Sequence, residues 1–203
     1  LDEFIFSGNV SAMRYTDWFF TGMIFDHPKK DIACGLCNHE RLRYEYVIEN
    51  RHTQEQLAVG SSCILKFSDI VIYDDQGNII APKEEKEKVL KKAFERFNFE
   101  RSLIPLRSLY RVMLKVDQKK LEGIVKFAKE NNSFTPNDLI WLFSAMKKIG
   151  IEYHPGFYKV FIRDLSSKID LKMAIKNPLK LDLIYEVLSA SQKKSYGLSE
   201  RNK

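Results

Sequence analysis

In "RYEYVIEN" (43–50) apolar and polar positions alternate. Tyr44, Tyr46 and Ile48 fall on one face of an extended chain, with Arg43, Glu45, Val47 and Glu49 on the other. The same period returns in "EQLAVG" (55–60), where Leu57 and Val59 are in phase, and the polar "RHTQ" between the two runs suits a hairpin connection. After Gly60, "SSCILKF" predicts a helix start with Ser61 or Ser62 as N-cap. "DIVIYDD" (69–75) is a short strand-like run that meets the turn signal "QGN", and "IIAP" closes the pattern near Pro82. Upstream, "AMRYTDWFFTGMIFD" (12–26) is apolar and aromatic. Thr16 and Asp17 are start signals for a short helix there, although Gly22 weakens it, and Asp26-His27-Pro28 ends the segment.

From Lys83 the period becomes helical. Leu90, Ala93, Phe94 and Phe97 share a face of one helix; Leu106, Leu109, Tyr110 and Met113 share a face of the next, with Pro105 tolerated in its first turn. Leu121, Ile124, Val125 and Ala128 mark a third. The fourth has the clearest start: Thr135 at N-cap, Pro136 at N1 and Asp138 at N3, a capping-box arrangement, followed by Leu139, Leu142, Phe143 and Met146 and ended by Gly150. Further helices are expected over 157–167 and 178–190, the latter opened by Asn177-Pro178. The expected fold is α+β: a small hairpin-and-helix module over 1–82, then a mainly helical domain over 83–203.

Charge sharpens that boundary. Residues 1–82 carry 7 Lys/Arg against 12 Asp/Glu, a net −5, whereas residues 83–203 carry 26 against 15, a net +11. Such a split points to two modules, the second suited to a polyanion. No run approaches the roughly 18 uncharged apolar residues of a membrane span. The acidic opening "LDEFIFSGNV" is not that of a signal peptide, and the expected location is cytoplasmic.

All three cysteines lie in the acidic module, as "CGLC" (34–37) and Cys63 in the helix start. Zinc favours a tetrahedron of thiolates and imidazoles, and a CxxC turn supplies two of the four donors. A cysteine at a helix start sits among unpaired N–H groups that favour the thiolate. Three beyond Cys63 stands Lys66, so the fourth ligand must come from elsewhere. His39, just past the knuckle, costs the least loop closure, then His52 and His27; Asp69 remains an oxygen alternative. Buried free thiols are the plain alternative to a metal. The site reads as structural: there is no HExxH, His39-Glu40 follows the CxxC in the wrong order for a nucleobase deaminase, and no βαβ pattern makes CGLC a redox motif.

Knuckle, hairpin and cysteine-bearing helix, in that order, resemble the treble-clef zinc fingers. More narrowly, "CGLC…RYEYVIEN…VGSSC" resembles bacterial and phage-encoded proteins with a CxxC…RYxY…VGSxC core, over about residues 30–67. The resemblance implies a structural Zn²⁺ scaffold and no particular activity. Asp26-His27 is faintly similar to the base of zinc-stabilised nucleases, although it precedes the knuckle.

In the basic half, Lys88, Lys92 and Arg96 form one row at a spacing of four, and Arg107, Arg111 and Lys115 another. Phosphate backbones reward such rows through counterion release, although lysine-rich helices also carry solvated rows without a partner. The aromatics Phe127, Phe134, Trp141, Phe143, Phe157 and Phe161 read mostly as core. A helix-turn-helix over 117–149 is disfavoured by the length of "KENNSFTPND". The leading expectation is a zinc-stabilised, non-enzymatic protein that binds DNA or RNA, regulatory or accessory, of bacterial or phage type. The alternative is a module or inhibitor that meets an acidic protein, and the third is a metal-dependent nuclease.

Overall fold

The computed structural model describes residues 17–67 and 69–198. Two compact units divide the chain, Leu1–Phe94 and Glu95–Lys203. The charge changes sign at Lys83, but this division falls later, inside a long helix.

The first unit is built on a three-stranded antiparallel sheet in the order β1 (Trp18–Asp26), β2 (Tyr44–Asn50), β3 (Gln56–Val59). β1 corrects the expectation of a helix over 12–26, of which 12–16 lie outside the described residues. Two features select the strand. Trp18, Phe20 and Ile24 are buried on the period of two, and Gly22 has φ +83°, which no right-handed helix accommodates. Gly22 sits in an irregularity of the β1–β2 pairing between Phe20 and Ile24.

The β2–β3 hairpin forms as the alternation predicts, with Tyr46 opposite Val59 and Ile48 opposite Leu57. Asn50, fully buried, fixes its turn by accepting N–H bonds from His52 and Thr53 at 2.9 and 3.1 Å. Helix α1 (Ser61–Lys66) follows, but Gly60 is its N-cap and neither serine caps it. The Ser61 hydroxyl is bonded to the Tyr46 phenol instead. Residues 69–75 make only isolated bridges, Phe19 to Val71 and Tyr73 to Ile79, around a turn with Gly77 at φ +84°. Buried Lys86 reaches the carbonyl of Ile70 at 2.9 Å and so ties this segment to the start of helix α2 (Lys83–Val112).

Helix α2 corrects the expectation of two helices: it passes straight through Pro105. Proline removes one helical N–H and normally kinks or ends a helix. Side-chain donors serve carbonyls in the turn before it. The Ser102 hydroxyl donates to Phe99 O at 2.6 Å, and the Tyr158 hydroxyl donates to Ser102 O at 3.0 Å.

Helices α3 (Lys115–Asn131) and α4 (Pro136–Ile149) complete the regular part of the second unit. Thr135 caps α4 as expected, accepting the Asp138 N–H and donating its hydroxyl to the Asp138 carboxylate at 2.7 Å. Gly150 ends it in left-handed geometry. The helix expected over 157–167 is displaced. Residues 159–161 pair with Phe134 through a bridge at Val160, and α5 spans Leu165–Ile175, capped by Asp164 accepting from Ser167 N. Asn177 caps α6 (Pro178–Ile184), which runs into a 3-10 turn before α7 (Ala190–Ser195). Leu106, Leu109, Leu121, Phe134, Leu139, Leu142, Phe143 and Met146 lie in the core of this unit, where the Phe143 and Tyr153 rings stack with centroids 4.4 Å apart. Among the described residues no helix is long and apolar enough to cross a membrane.

Tyr158→Phe deletes the donor beside Pro105 while keeping the ring. It is expected to destabilise the second unit by about 1 kcal/mol in urea unfolding, and an unchanged midpoint would show that α2 passes the proline without this support.

Candidate functional site

The knuckle turns because Asn38 adopts φ +53° and donates its N–H to Cys34 O at 2.8 Å, while Cys34 N donates to His39 O at 2.9 Å. Gly35 N donates to Ala58 O at 2.8 Å, which ties the knuckle to β3. A side chain at Gly35 would meet Leu57 and the Ala58 carbonyl at 3.3–3.4 Å, so this close approach favours glycine. The hairpin register then places Gly60 and the first turn of α1 over the knuckle. Cys63, far away in sequence, arrives beside Cys34 and Cys37.

The three sulfur atoms all lie within 4.8 Å of one another. Cys63 Sγ is 3.6 Å from Cys34 Sγ and 3.3 Å from Cys37 Sγ. The edge of a tetrahedral metal–thiolate site is about 3.8 Å, so three cysteines stand close enough to hold a metal ion. Their ionisation diverges. Burial is the largest influence on Cys34 and opposes its charge, but backbone N–H groups of Gly60, Leu36 and Cys37 and the Cys63 thiol more than offset it, so its pKa falls below the usual thiol value. At Cys63 burial leads, followed by the neighbouring sulfurs of Cys37 and Cys34, and the pKa is pushed up to about 12. Three negative sulfurs at this range repel one another, and a divalent cation removes the conflict.

The fourth donor is not brought into this group. His39 lines the cavity that the cysteines share, outside the close-set trio. His52 faces the Asp17 carboxylate at 3.3 Å, and His27 faces Glu45 at 2.7 Å and Asp31 at 3.9 Å. Asp26, the other half of the nuclease-like pair, accepts from Arg43 at 3.2 Å. Both members of that pair are engaged with structural partners.

The basic rows change character. Lys88 is exposed, Lys92 pairs with Asp75, and Arg96 pairs with Glu100 at 3.1 Å. Arg107 and Arg111 lie on α2, but Lys115 is the first residue of α3, so the second row is not carried by one helix. Lys126 and Lys129 were not singled out in the sequence, yet they join Arg107 and Arg111 around a groove of about 660 Å³ between α2 and α3. Its floor is Leu103, Leu106, Leu121 and Val125, and its one acid, Glu122, accepts the Tyr110 hydroxyl at 2.6 Å. A spacing of three on α3 was the available signal. The connection from α3 to α4 is only residues 132–135, because α3 runs on to Asn131, so loop length does not argue against a helix-turn-helix. The burial of α4 does, since Leu139, Leu142, Phe143 and Met146 face the core with Ile140, Trp141 and Ala145 packed against it.

Comparison with known proteins finds no matching family model, no matching curated protein and no matching solved structure.

Two outcomes follow for the cysteine cluster. Cobalt added to metal-free protein is expected to give intense thiolate-to-metal charge-transfer absorption, which Cys63→Ser strongly weakens. In metal-free protein the Cys63 pKa rises from 9.0 unfolded to about 12 folded. The unfolded state therefore loses its proton first, and the first unit loses stability as pH rises through that interval. Urea melts of the metal-free protein at pH 8 and pH 10.5 check the sign; an increase in stability would contradict it.

Proposed function

We propose that the chain is a zinc-stapled, non-enzymatic nucleic-acid-binding protein, with Cys34, Cys37, Cys63 and His39 as the zinc ligands and the α2–α3 groove as the binding face. Zinc suits the donor set because it takes thiolate and imidazole together without a redox change. His39 is taken as the fourth donor because it is among the residues lining the cysteines' cavity, whereas His27 and His52 face carboxylates. In this reading the knuckle, hairpin and α1 are a treble-clef-like staple, and the metal supplies folding free energy that an acidic unit with a three-stranded sheet lacks.

One observation carries the nucleic-acid reading. Arg107, Arg111, Lys126 and Lys129 converge on one groove, and among the described residues none of the four is in an ion pair. Uncompensated cations in a row are what a phosphate backbone neutralises. The apolar floor favours a second reading, in which an acidic amphipathic helix of a partner protein lays its apolar stripe into the groove.

Fluorescence anisotropy with labelled DNA and RNA across a salt series separates the two. For nucleic acid, affinity falls linearly in log–log with salt, and charge reversal of Arg107 and Arg111 lowers the slope by about 0.7–0.9 per lost contact, while Val125→Ser has little effect. Absence of binding at low salt overturns the nucleic-acid reading. Chelation of zinc is expected to unfold the first unit and leave the helical signal of the second; retention of the β-sheet signal without metal would overturn the staple.

A further inference from the structure

The turn from α2 into α3 presents three aliphatic side chains to solvent: Val112, Leu114 and Val116 are 60, 77 and 80 % exposed. Met113 between them turns inward and packs against the core. None of the three lines the α2–α3 groove. Single exposed aliphatics are ordinary, whereas adjacent ones mark a contact surface. The same residues break the rules of a helix start. Leu114 is the N-cap of α3 and makes no side-chain cap bond, where Ser, Thr, Asp or Asn would hold an orphan N–H. Helices α4, α5, α6 and α7 are each capped in that way, by Thr135, Asp164, Asn177 and Ser189. Lys115, the first residue of α3, sets a cation at the positive end of the helix dipole, and Val116 adds a β-branched side chain to the same turn. Local choices that weaken a helix and gain no core contact point to a function.

Charge around this apolar tip has one sign. Residues 107–120 carry Arg107, Arg111, Lys115, Lys119 and Lys120 against one acid, Asp117. Arg111, Lys115 and Lys119 are exposed and, among the described residues, in no ion pair. Exposed cations alone select no partner; beside an apolar tip they do. A phosphate backbone would pair the cations and leave Val112, Leu114 and Val116 in water. A second copy meeting tip to tip would bring Lys115 and Lys119 against their own counterparts. A folded protein would need an apolar socket rimmed by acids. A bilayer needs no socket, because its acyl chains close around a protruding aliphatic side chain while anionic headgroups take the cations.

We propose that the α2–α3 turn docks on a bilayer surface that carries anionic lipids, with Val112, Leu114 and Val116 entering the boundary between headgroups and acyl chains and Arg111, Lys115 and Lys119 on the lipid phosphates. A few aliphatic side chains or a few cations alone bind a membrane weakly; the two signals together hold a protein at its surface. The docking does not rest on the nucleic-acid reading, since its apolar tip lies outside the groove.

The test is co-sedimentation of the full chain at low salt with vesicles of phosphatidylcholine alone and of equal parts phosphatidylcholine and phosphatidylglycerol. Binding to the anionic vesicles is expected to be about tenfold or more tighter than to the neutral ones. Leu114→Ser is expected to weaken it about tenfold. Serine is a better N-cap than leucine, so the thermal midpoint of this variant is expected not to fall, and its loss of binding is then not a loss of fold. Leu114→Phe keeps an apolar tip and is expected to bind as the unaltered chain does. Lys115→Gln and Lys119→Gln are each expected to weaken binding about fivefold. Equal binding to both kinds of vesicle overturns the proposal, as does anionic binding that Leu114→Ser and Val116→Ser leave unchanged. A chain that ignores vesicles overturns it as well: weaker duplex-DNA binding by Leu114→Ser would then make the tip a wedge between base pairs, and loss of self-association would make it a contact between copies.

Discussion

Three sulfur atoms within 4.8 Å of one another are the constraint around which the knuckle, the hairpin and α1 meet. Thiols at that separation resist becoming thiolates together, as the opposed shifts of Cys34 and Cys63 show. The fold nevertheless invests in bringing them together. The hairpin register, the Gly35–Ala58 hydrogen bond and the start of α1 directly after Gly60 all act on the position of Cys63 relative to the knuckle. Slipping β3 by one residue would turn Val59 out of the core and carry Cys63 away with it. A geometry that is costly without a cation and favourable with one is how a small unit couples metal binding to folding.

Legibility followed the range of the interaction that decides each element. The hairpin and the cap of α4 are local: alternation over 43–60, and Thr135, Pro136 and Asp138 within four positions, were sufficient to read them. β1 was misread because its aromatic run fits either period, and the deciding partner, β2, lies beyond the knuckle. Pro105 looked like a helix boundary because the donors that help α2 past it include Tyr158, far down the chain. Residues 159–161 are not helical because Phe134 pairs with them, again from a distance. Asp164 and Ser167 did offer a local cap signal for α5, inside the span 157–167 that was expected to be helical throughout.

At the cysteine site, the trio was legible because CxxC plus a cysteine behind a hairpin-shaped spacer is a pattern of residue type and order. Which histidines face carboxylates in the fold was not legible. Two of the three candidates are held by carboxylates from other segments, Glu45 and Asp17. Only folding reveals such competition.

Charge shows the same limit in its clearest form. Net charge distinguishes an acidic stretch, residues 1–82, from a basic one, residues 83–203, but local charge is what a ligand meets, and pairing redistributes it. Of the cations read as a phosphate face, Lys92 and Arg96 are matched by Asp75 and Glu100, while Lys126 and Lys129 join the Arg107–Arg111 side of the groove. In the acidic unit the redistribution runs the other way: Asp26, Asp31, Glu45, Asp17 and Asp75 face Arg43, His27, His52 and Lys92, and no acid is among the residues lining the cavity beside the cysteines. A Coulomb interaction at 4 Å in a partly enclosed site outweighs one averaged over a solvated surface by several-fold. An overall charge of −5 therefore does not keep an anion out of that cavity; the arrangement of the carboxylates matters more than their number.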